Sequence, residues 1–116
     1  MAKVAIIGTG GTISSIGFGP LDLLDYAHSG KTMTIEQVLE KFPIVREAAD
    51  LSLIPYTAVG SPQIGPTHWL DLTRMVHEAV AADPSLDGVV ITHGTATTEE
   101  TAYFLNLSLK CSQAVV

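Results

Sequence analysis

Two short segments of the chain combine glycine and threonine directly after an apolar run. Residues 8–13 read GTGGTI, and residues 92–97 read THGTAT. A threonine hydroxyl is a weak nucleophile at neutral pH, and it becomes effective when a base and donors for the developing oxyanion lie beside it. Glycines allow the backbone to approach a ligand closely. Thr12 and Thr95 are therefore the candidate catalytic residues.

The first segment admits more than one interpretation. A dinucleotide-binding pattern requires a third glycine where Ile13 stands, and the Gly-Lys-Ser/Thr of a phosphate-binding loop is absent. Two interpretations stay open: a glycine turn that exposes the hydroxyl of Thr12 to a ligand, or a tight turn without function.

The second segment joins an apolar run to a predicted helix. An unpaired helix N-terminus suits a carboxylate or an oxyanion. Thr97, Thr98, Glu99 and Glu100 form a capping-box pattern, so we assign Thr97 to capping the helix and Thr95 to the site. His93 lies beside Thr95, and a hydrogen-bonded structural role is favoured over a catalytic one.

Strands and helices alternate along the chain. Apolar, β-branched runs predict strands at 3–8, 51–57, 87–92 and 113–116, and helical spacing with capping signals predicts helices at 34–42, 67–82 and 97–110. Residues 9–32 form a long, glycine-bearing connection. This order predicts an α/β sandwich with a parallel sheet. Ligands bind at the carboxyl ends of such strands, so both threonine loops should open on one edge.

Composition excludes several classes of function. The 116 residues suffice for one small domain, and the net charge of −6 with six scattered basic residues excludes a nucleic-acid-binding surface. Hydrophobic residues reach 47%, but no apolar run approaches the roughly 20 residues of a membrane span. No Cys/His spacing suits a metal, and Cys111 has no disulfide partner. With no signal peptide recognisable, we expect a cytoplasmic protein that binds a small molecule.

The sequence resembles the bacterial-type L-asparaginase family. The likeness rests on GTGGTIS at 8–14 and THGTATTEETAYFLNL at 92–107, and it extends through Tyr26, Gly30-Lys31 and Gly60-Ser61. It implies a Rossmann-like N-terminal domain, of which residues 1–116 are the first part. Because the chain stops inside its fourth strand, we expect a fragment, with the remainder of the catalytic domain and any C-terminal domain outside it.

The resemblance also implies catalytic roles. Thr12 would attack the side-chain amide carbon and form an acyl-enzyme, and Tyr26, on a loop that closes over the site, would orient and deprotonate it. Thr95 would belong to a second catalytic cluster, together with a lysine beyond residue 116. The family requires no cofactor or metal. It suggests a homodimer or tetramer whose sites are completed by a neighbouring subunit.

The residues that would hold the substrate depart from the family pattern at two positions. Ser61 would bind the α-carboxylate, and Gly11 and Gly94 would let the backbone approach the substrate. Ala96 stands where the family has an aspartate that contacts the α-amino group, and Pro62 stands where a glutamine is common. Leaving an ammonium unpaired in a buried site costs about 3–5 kcal/mol. We therefore expect free asparagine to be a poor substrate.

The sequence thus predicts an amidohydrolase that cleaves a small carboxamide through a threonine nucleophile and releases ammonia. Two alternatives remain. One is an amidase or lactam-opening hydrolase for substrates that lack an α-amino group. The other is a non-catalytic, ligand-binding relative with the same fold.

Overall fold

The computed structural model describes residues 1–116, in which six strands and three helices alternate. The elements are β1 (Lys3–Gly8), β2 (Ser15–Ile16), β3 (Lys31–Thr32), α1 (Ile35–Lys41), β4 (Asp50–Ile54), α2 (Pro66–Ala82), β5 (Gly88–Thr92), α3 (Thr98–Ser108) and β6 (Ala114–Val115). None of the helices has the length and apolar character to cross a bilayer.

Four of the strands form one parallel sheet in the order β4-β1-β5-β6. The chain runs from β1 to β4 on one side and then crosses back to β5 on the other, so the strand order reverses between β1 and β5. Ligands of open parallel sheets bind at such a reversal, outside the carboxyl ends of the strands. The predicted parallel α/β sandwich is confirmed, and the two threonine loops follow the two strands that flank the reversal.

Helices cover both faces of the sheet because successive residues of a strand point to opposite sides. Ala5 and Ile7 of β1 are fully buried on the face that α2 and α3 cover, and Ile6 is buried on the face that α1 covers. Burying an aliphatic side chain fully stabilises the fold by about 1.5–3 kcal/mol. The core therefore holds β1 firmly at the centre, and β1 carries the first threonine loop at its end.

The long connection between β1 and α1 contains structure that the sequence pattern did not indicate. The strands β2 and β3 pair antiparallel, with Ser15 opposite Thr32 and Ile16 opposite Lys31. The hairpin brings the chain back beside residue 14, since Met33 N donates to Ser14 O at 2.7 Å. Residues 17–30 form the tip of the hairpin. Two-residue strands are too short to show a period, which is why no strand was predicted here.

Other boundaries moved by a few residues. The strand predicted at 51–57 ends at Ile54, directly before Pro55, because proline cannot donate to the ladder. The last helix ends at Ser108 rather than 110. The capping box of α1 is confirmed, since Thr34 Oγ1 accepts from Gln37 N and Gln37 Oε1 accepts from Thr34 N.

The capping box predicted for α3 is wrong. Thr97 occupies the position before the helix, but its hydroxyl makes no cap hydrogen bond. It donates instead to the carbonyl oxygen of Ser61 at 2.7 Å. The hydroxyl that the pattern predicts as an acceptor for the helix N–H groups thus serves as a donor to another loop.

Candidate active site

The loops that follow β1, β4 and β5 are joined by backbone hydrogen bonds. Gly11 N donates to Val59 O at 3.0 Å, and Val59 N donates to Thr9 O at 3.0 Å, which adds the β4 loop to one side of the β1 loop. On the other side, Thr9 N and Thr9 Oγ1 donate to Thr92 O at 3.1 and 2.8 Å. The β1 loop is therefore fixed between its two neighbours.

The two threonine loops touch at a pair of glycines. Gly11 has φ of +84°, and a Cβ built on it would lie 2.5 Å from Gly94 Cα. A Cβ on Gly94 would lie 2.7 Å from Ser61 Oγ and 3.2 Å from Gly11 Cα. Real atoms do not approach so closely, so this junction of three loops requires glycine at both positions. The close contact also fixes the separation between the loops that carry Thr12 and Thr95.

Thr12 and Tyr26 face each other at the edge of this junction. Their hydroxyl oxygens, Thr12 Oγ1 and Tyr26 Oη, lie 3.3 Å apart, within hydrogen-bond reach. Thr12 begins a short 3-10 turn and is exposed, whereas Tyr26 begins another and is half-buried. The β2–β3 hairpin brings the two side chains together across the long connection. Either hydroxyl of the pair can donate to the other at this distance.

Asp22 organises the tip of the hairpin just before Tyr26. Its carboxylate accepts hydrogen bonds from the backbone N–H groups of Phe18, Asp25 and Leu24 at 3.0, 2.7 and 3.3 Å. These bonds, that of Phe18 first, hold the pKa of Asp22 below its usual value of 3.8. The carboxylate therefore stabilises the loop conformation that presents Tyr26.

Ser61 is buried and connects the β4 loop to the start of α3. Its Oγ accepts the N–H of Ala96 at 3.2 Å, and its carbonyl accepts the hydroxyl of Thr97 at 2.7 Å. Because a hydroxyl also carries a donor proton, Ser61 Oγ can still donate to a ligand. This geometry is compatible with a carboxylate-binding role and places Ser61 directly beside Ala96.

All seven residues selected from the sequence line one cleft of about 280 Å³. They are Gly11, Thr12, Tyr26, Ser61, Gly94, Thr95 and Ala96. The expectation that both threonine loops open on one edge is confirmed. The cleft also includes residues that the sequence did not single out: Ser15, Ala27, Thr32 and Val59. Gly60 and Pro62, which flank Ser61 and were named with it, complete the lining.

The lining of the cleft contains no charged side chain. No aspartate or glutamate is available to pair with an ammonium, and the position that the resemblance assigned to that task holds the methyl group of Ala96. Ala96 and Pro62 make this end of the cleft apolar. No group of three or more His, Cys, Asp or Glu side chains is arranged to hold a metal ion.

A larger cavity of about 520 Å³ lies along α3 and β6. Seven of its twelve lining residues are hydrophobic, and neither Thr12 nor Thr95 is among them. His93 borders this cavity and not the threonine cleft. Size alone would favour this cavity as a site, but the hydroxyl groups of Thr12, Tyr26 and Thr95 line the smaller cleft.

The chain matches one protein-family model and is similar to several named proteins along nearly its whole length. The family model described as "Asparaginase, N-terminal" matches residues 3–116. The chain is 34% identical to "Probable L-asparaginase periplasmic" of Haemophilus influenzae over all of its own length and 32% of that protein. It is 37% identical to "Glutaminase-asparaginase" of Acinetobacter glutaminasificans over 98% of its own length and 34% of that protein.

A solved structure gives the same result. The "Probable Cytoplasmic L-asparaginase from Campylobacter jejuni" superposes with a TM-score of 0.85 at 36% identity, over 99% of this chain and 33% of that one. The chain thus spans about a third of the length of the relatives it matches. The fold and the order of the loops are those of the N-terminal part of these proteins.

Proposed function

The chain belongs to the asparaginase family, whose N-terminal part it matches, and on this premise we propose that the protein is an amidohydrolase of small carboxamides. The observation that carries the proposal is the Thr12–Tyr26 pair, with 3.3 Å between the hydroxyl oxygens, at a cleft on the reversal point of a parallel sheet. Relatives named as asparaginases support the class of reaction.

In the proposed reaction, Thr12 Oγ1 attacks the amide carbon and gives its proton to Tyr26 Oη, while Tyr26 passes its own hydroxyl proton on toward the amide nitrogen. The tetrahedral intermediate collapses with cleavage of the C–N bond, and the departing nitrogen receives a proton and leaves as ammonia. Water then attacks the acyl ester, which releases the carboxylic acid and returns the proton to Thr12. The chemistry needs only positioned hydroxyl groups and donors for the oxyanion, and no cofactor.

The other residues of the cleft would assist this reaction. Thr95 offers a second hydroxyl across the Gly11–Gly94 contact, where it can bind the amide or the incoming water. The two glycines leave room for a substrate against the backbone. Ser61, with a free donor proton, would bind a carboxylate of the substrate.

The uncharged lining of the cleft favours substrates without an α-ammonium. An ammonium that is removed from water and left unpaired costs several kcal/mol, and the described residues offer it no carboxylate. An amide with a hydrogen or an apolar group in place of the α-amino group avoids this cost. We therefore propose that amides of this kind are better substrates than L-asparagine, as expected for an amidase or a lactam-opening hydrolase.

Residues 1–116 would form the first part of the catalytic domain of a larger enzyme, because the matched family model is the N-terminal one and the chain spans about a third of each relative. A homo-oligomer is proposed from the family resemblance alone. A cytoplasmic location is proposed from the sequence and agrees with the name of the Campylobacter jejuni relative. The Haemophilus influenzae relative is named as periplasmic, so cell fractionation has to decide this point.

The nucleophile is tested by Thr12→Ala in the gene product at its full encoded length. Ammonia release from a panel of small carboxamides should fall by about 10⁴-fold or more, whereas Thr12→Ser, which retains a hydroxyl, should keep part of the activity. Thr12 is exposed, so neither change should alter the fold. Full activity in Thr12→Ala would refute the assignment. Calorimetric binding of amides without turnover by the wild type would favour the non-catalytic alternative.

A further inference from the structure

The imidazole of His93 is bound at both nitrogens by groups of the loop and of α3. Nδ1 lies 2.7 Å from Gly94 O, and Nε2 lies 2.9 Å from Thr101 Oγ1. Thr101 is buried, with 3% of its surface exposed. Its Oγ1 also accepts a hydrogen bond from Trp69 Nε1 at 3.0 Å. A chain of hydrogen bonds therefore runs from α2 through α3 to the second threonine loop.

One neutral tautomer of His93 satisfies every bond of this chain. Thr98 Oγ1 also lies 3.4 Å from Nδ1, but it donates to Gly94 O at the shorter distance of 2.6 Å. An indole nitrogen can only donate, so Thr101 Oγ1 accepts from Trp69 and is left with its own proton to donate. That proton goes to Nε2 of His93, which must then be the unprotonated nitrogen. A carbonyl oxygen can only accept, so the other nitrogen, Nδ1, carries the proton and donates it to Gly94 O.

The opposite tautomer would break the bond to Gly94 O and reverse the bond to Thr101, whose Oγ1 would then accept from both Trp69 Nε1 and His93 Nε2. With the proton on Nε2, the lone pair of Nδ1 would face the lone pairs of Gly94 O. The proton of Thr101 would then lose its acceptor in a buried position, where an unpaired polar group is costly. Of the two neutral tautomers, the network therefore favours the one with its proton on Nδ1.

The tautomer of His93 affects the candidate active site because its Nδ1 proton holds the carbonyl of Gly94. That oxygen accepts from His93 Nδ1 and from Thr98 Oγ1, at 2.7 and 2.6 Å. Both donors are anchored on the α3 side of the loop. The trans peptide is planar, so the N–H of Thr95 points away from α3 once the carbonyl is held there. A glycine peptide turns easily, and two donors to one carbonyl remove that freedom.

We propose that His93 is a positioning residue, held by the Trp69–Thr101 pair in the Nδ1-protonated tautomer, that fixes the Gly94–Thr95 peptide at the cleft. Its ring borders the cavity along α3 and not the threonine cleft, so it acts through Gly94 and does not touch the substrate. The consequence for turnover rests on the proposed function, whereas the tautomer itself does not.

The tautomer is tested by ¹⁵N NMR of histidine-labelled protein at its full encoded length. His93 should show a protonated Nδ1 and an unprotonated Nε2 at neutral pH, with the signals assigned by their loss in His93→Asn. Thr101→Val, which removes the donor to Nε2, should give a mixture of tautomers, and Thr101→Ser should not. A protonated Nε2 in the wild type, or an unchanged tautomer in Thr101→Val, would overturn the proposal.

The positioning role is tested by comparing two amide variants. Asparagine can place an N–H close to the position of Nδ1, whereas glutamine reaches toward Nε2 and leaves Gly94 O without this donor. Loss of one such hydrogen bond corresponds to roughly a three- to tenfold change. We expect His93→Gln to lower kcat for ammonia release by about that factor with KM nearly unchanged, and His93→Asn to restore most of the loss.

His77→Gln is the matched control, since His77 only accepts from Lys110 N at the far end of α2 and its replacement should leave kcat unchanged. Equal kcat in both His93 variants at equal thermal stability would overturn the positioning role. A lower Tm with no difference in kcat would assign His93 to stability alone. If the wild type releases no ammonia, the proposed function fails. The NMR result still decides whether the hydrogen-bond chain from Trp69 through Thr101 sets the tautomer of His93.

Discussion

Ala96→Asp would introduce a carboxylate into a cleft whose described lining has no charge. The backbone N–H of Ala96 already donates to Ser61 Oγ, so the new side chain would start from a fixed backbone beside the proposed carboxylate-binding serine. An α-ammonium and an α-carboxylate are attached to the same carbon of an amino acid. A substrate whose carboxylate is held at Ser61 would therefore bring its ammonium close to position 96.

Two limits bracket the size of the effect. A hydrogen bond to a charged group stabilises by about 1.5–3 kcal/mol, whereas a solvent-exposed ion pair contributes about 0.2–1 kcal/mol. Ala96 lines the cleft but is exposed in this structure, so water competes for the new carboxylate. We expect a gain between these ranges, about 1.4 kcal/mol, which is a tenfold increase in kcat/KM for L-asparagine.

The assay compares L-asparagine with succinamic acid, which has the same amide and carboxylate but no α-ammonium. The ratio of the two kcat/KM values removes any general effect of the substitution on folding or on the nucleophile. In Ala96→Asp this ratio should shift toward L-asparagine by about tenfold. Ala96→Asn provides the control, because it has nearly the same size and no charge, and its ratio should move much less.

An equal ratio in wild type and Ala96→Asp, with the variant folded and active, would refute the pairing of a carboxylate at position 96 with the α-ammonium of the substrate. An equal shift in Ala96→Asn would also refute it, since hydrogen bonding without charge would then explain the effect. A wild type that already prefers L-asparagine strongly over succinamic acid would show that an ammonium partner comes from outside residues 1–116.

Three further predictions concern the frame of the site. Gly11→Ala should destabilise the protein by about 2–4 kcal/mol in urea denaturation, because the new Cβ would be strained at a φ of +84° and would lie 2.5 Å from the facing loop. Gly19→Ala is the control and should show no such loss, since its Cβ would meet nothing within 4 Å. Tyr26→Phe removes the hydroxyl beside the nucleophile and should lower kcat by about 10²–10⁴-fold at nearly constant Tm; an unchanged kcat would dismiss Tyr26 as the proton acceptor. Backbone hydrogen bonds, that of Phe18 first, hold the pKa of Asp22 below 3.8, so its stabilisation is present above that value and is lost as the pH falls through the lower folded-state pKa. Hydrogen exchange in the loop that Asp22 caps should accelerate on such acidification, and Asp22→Asn should remove this pH response.

The sequence predicted the central strands well because their signal is strong. Residues 3–8 and 87–92 are short, β-branched and apolar, and a strand buried on both faces requires such a run. The β2–β3 hairpin gave no comparable signal, since strands of two residues carry no period. The hairpin nevertheless determines the site, because it brings Tyr26 to Thr12.

Interactions between loops could not be predicted from a local pattern, because their partners are distant in the sequence. Thr97 matched a capping box, but its hydroxyl donates to the carbonyl of Ser61 and accepts from no helix N–H, and only the folded chain reveals this partner. Val59 joins the β1 loop entirely through its backbone. A contact without a side-chain requirement leaves no trace in residue type, so Val59 could not be selected from the sequence.

The contacts that build the cleft and the side chains that would choose its substrate are different parts of the molecule. Backbone hydrogen bonds and the Gly11–Gly94 contact fix the loops, whereas Ala96 and Pro62 are exposed and line one end of the cleft. Exposed substitutions away from special backbone positions usually change stability by no more than about 0.5 kcal/mol. If position 96 faces the substrate as proposed, substrate preference can therefore change there without loss of the fold or of the Thr12–Tyr26 geometry. The sequence resemblance shows the same separation, because the glycine and threonine loops match the family pattern whereas Ala96 and Pro62 depart from it.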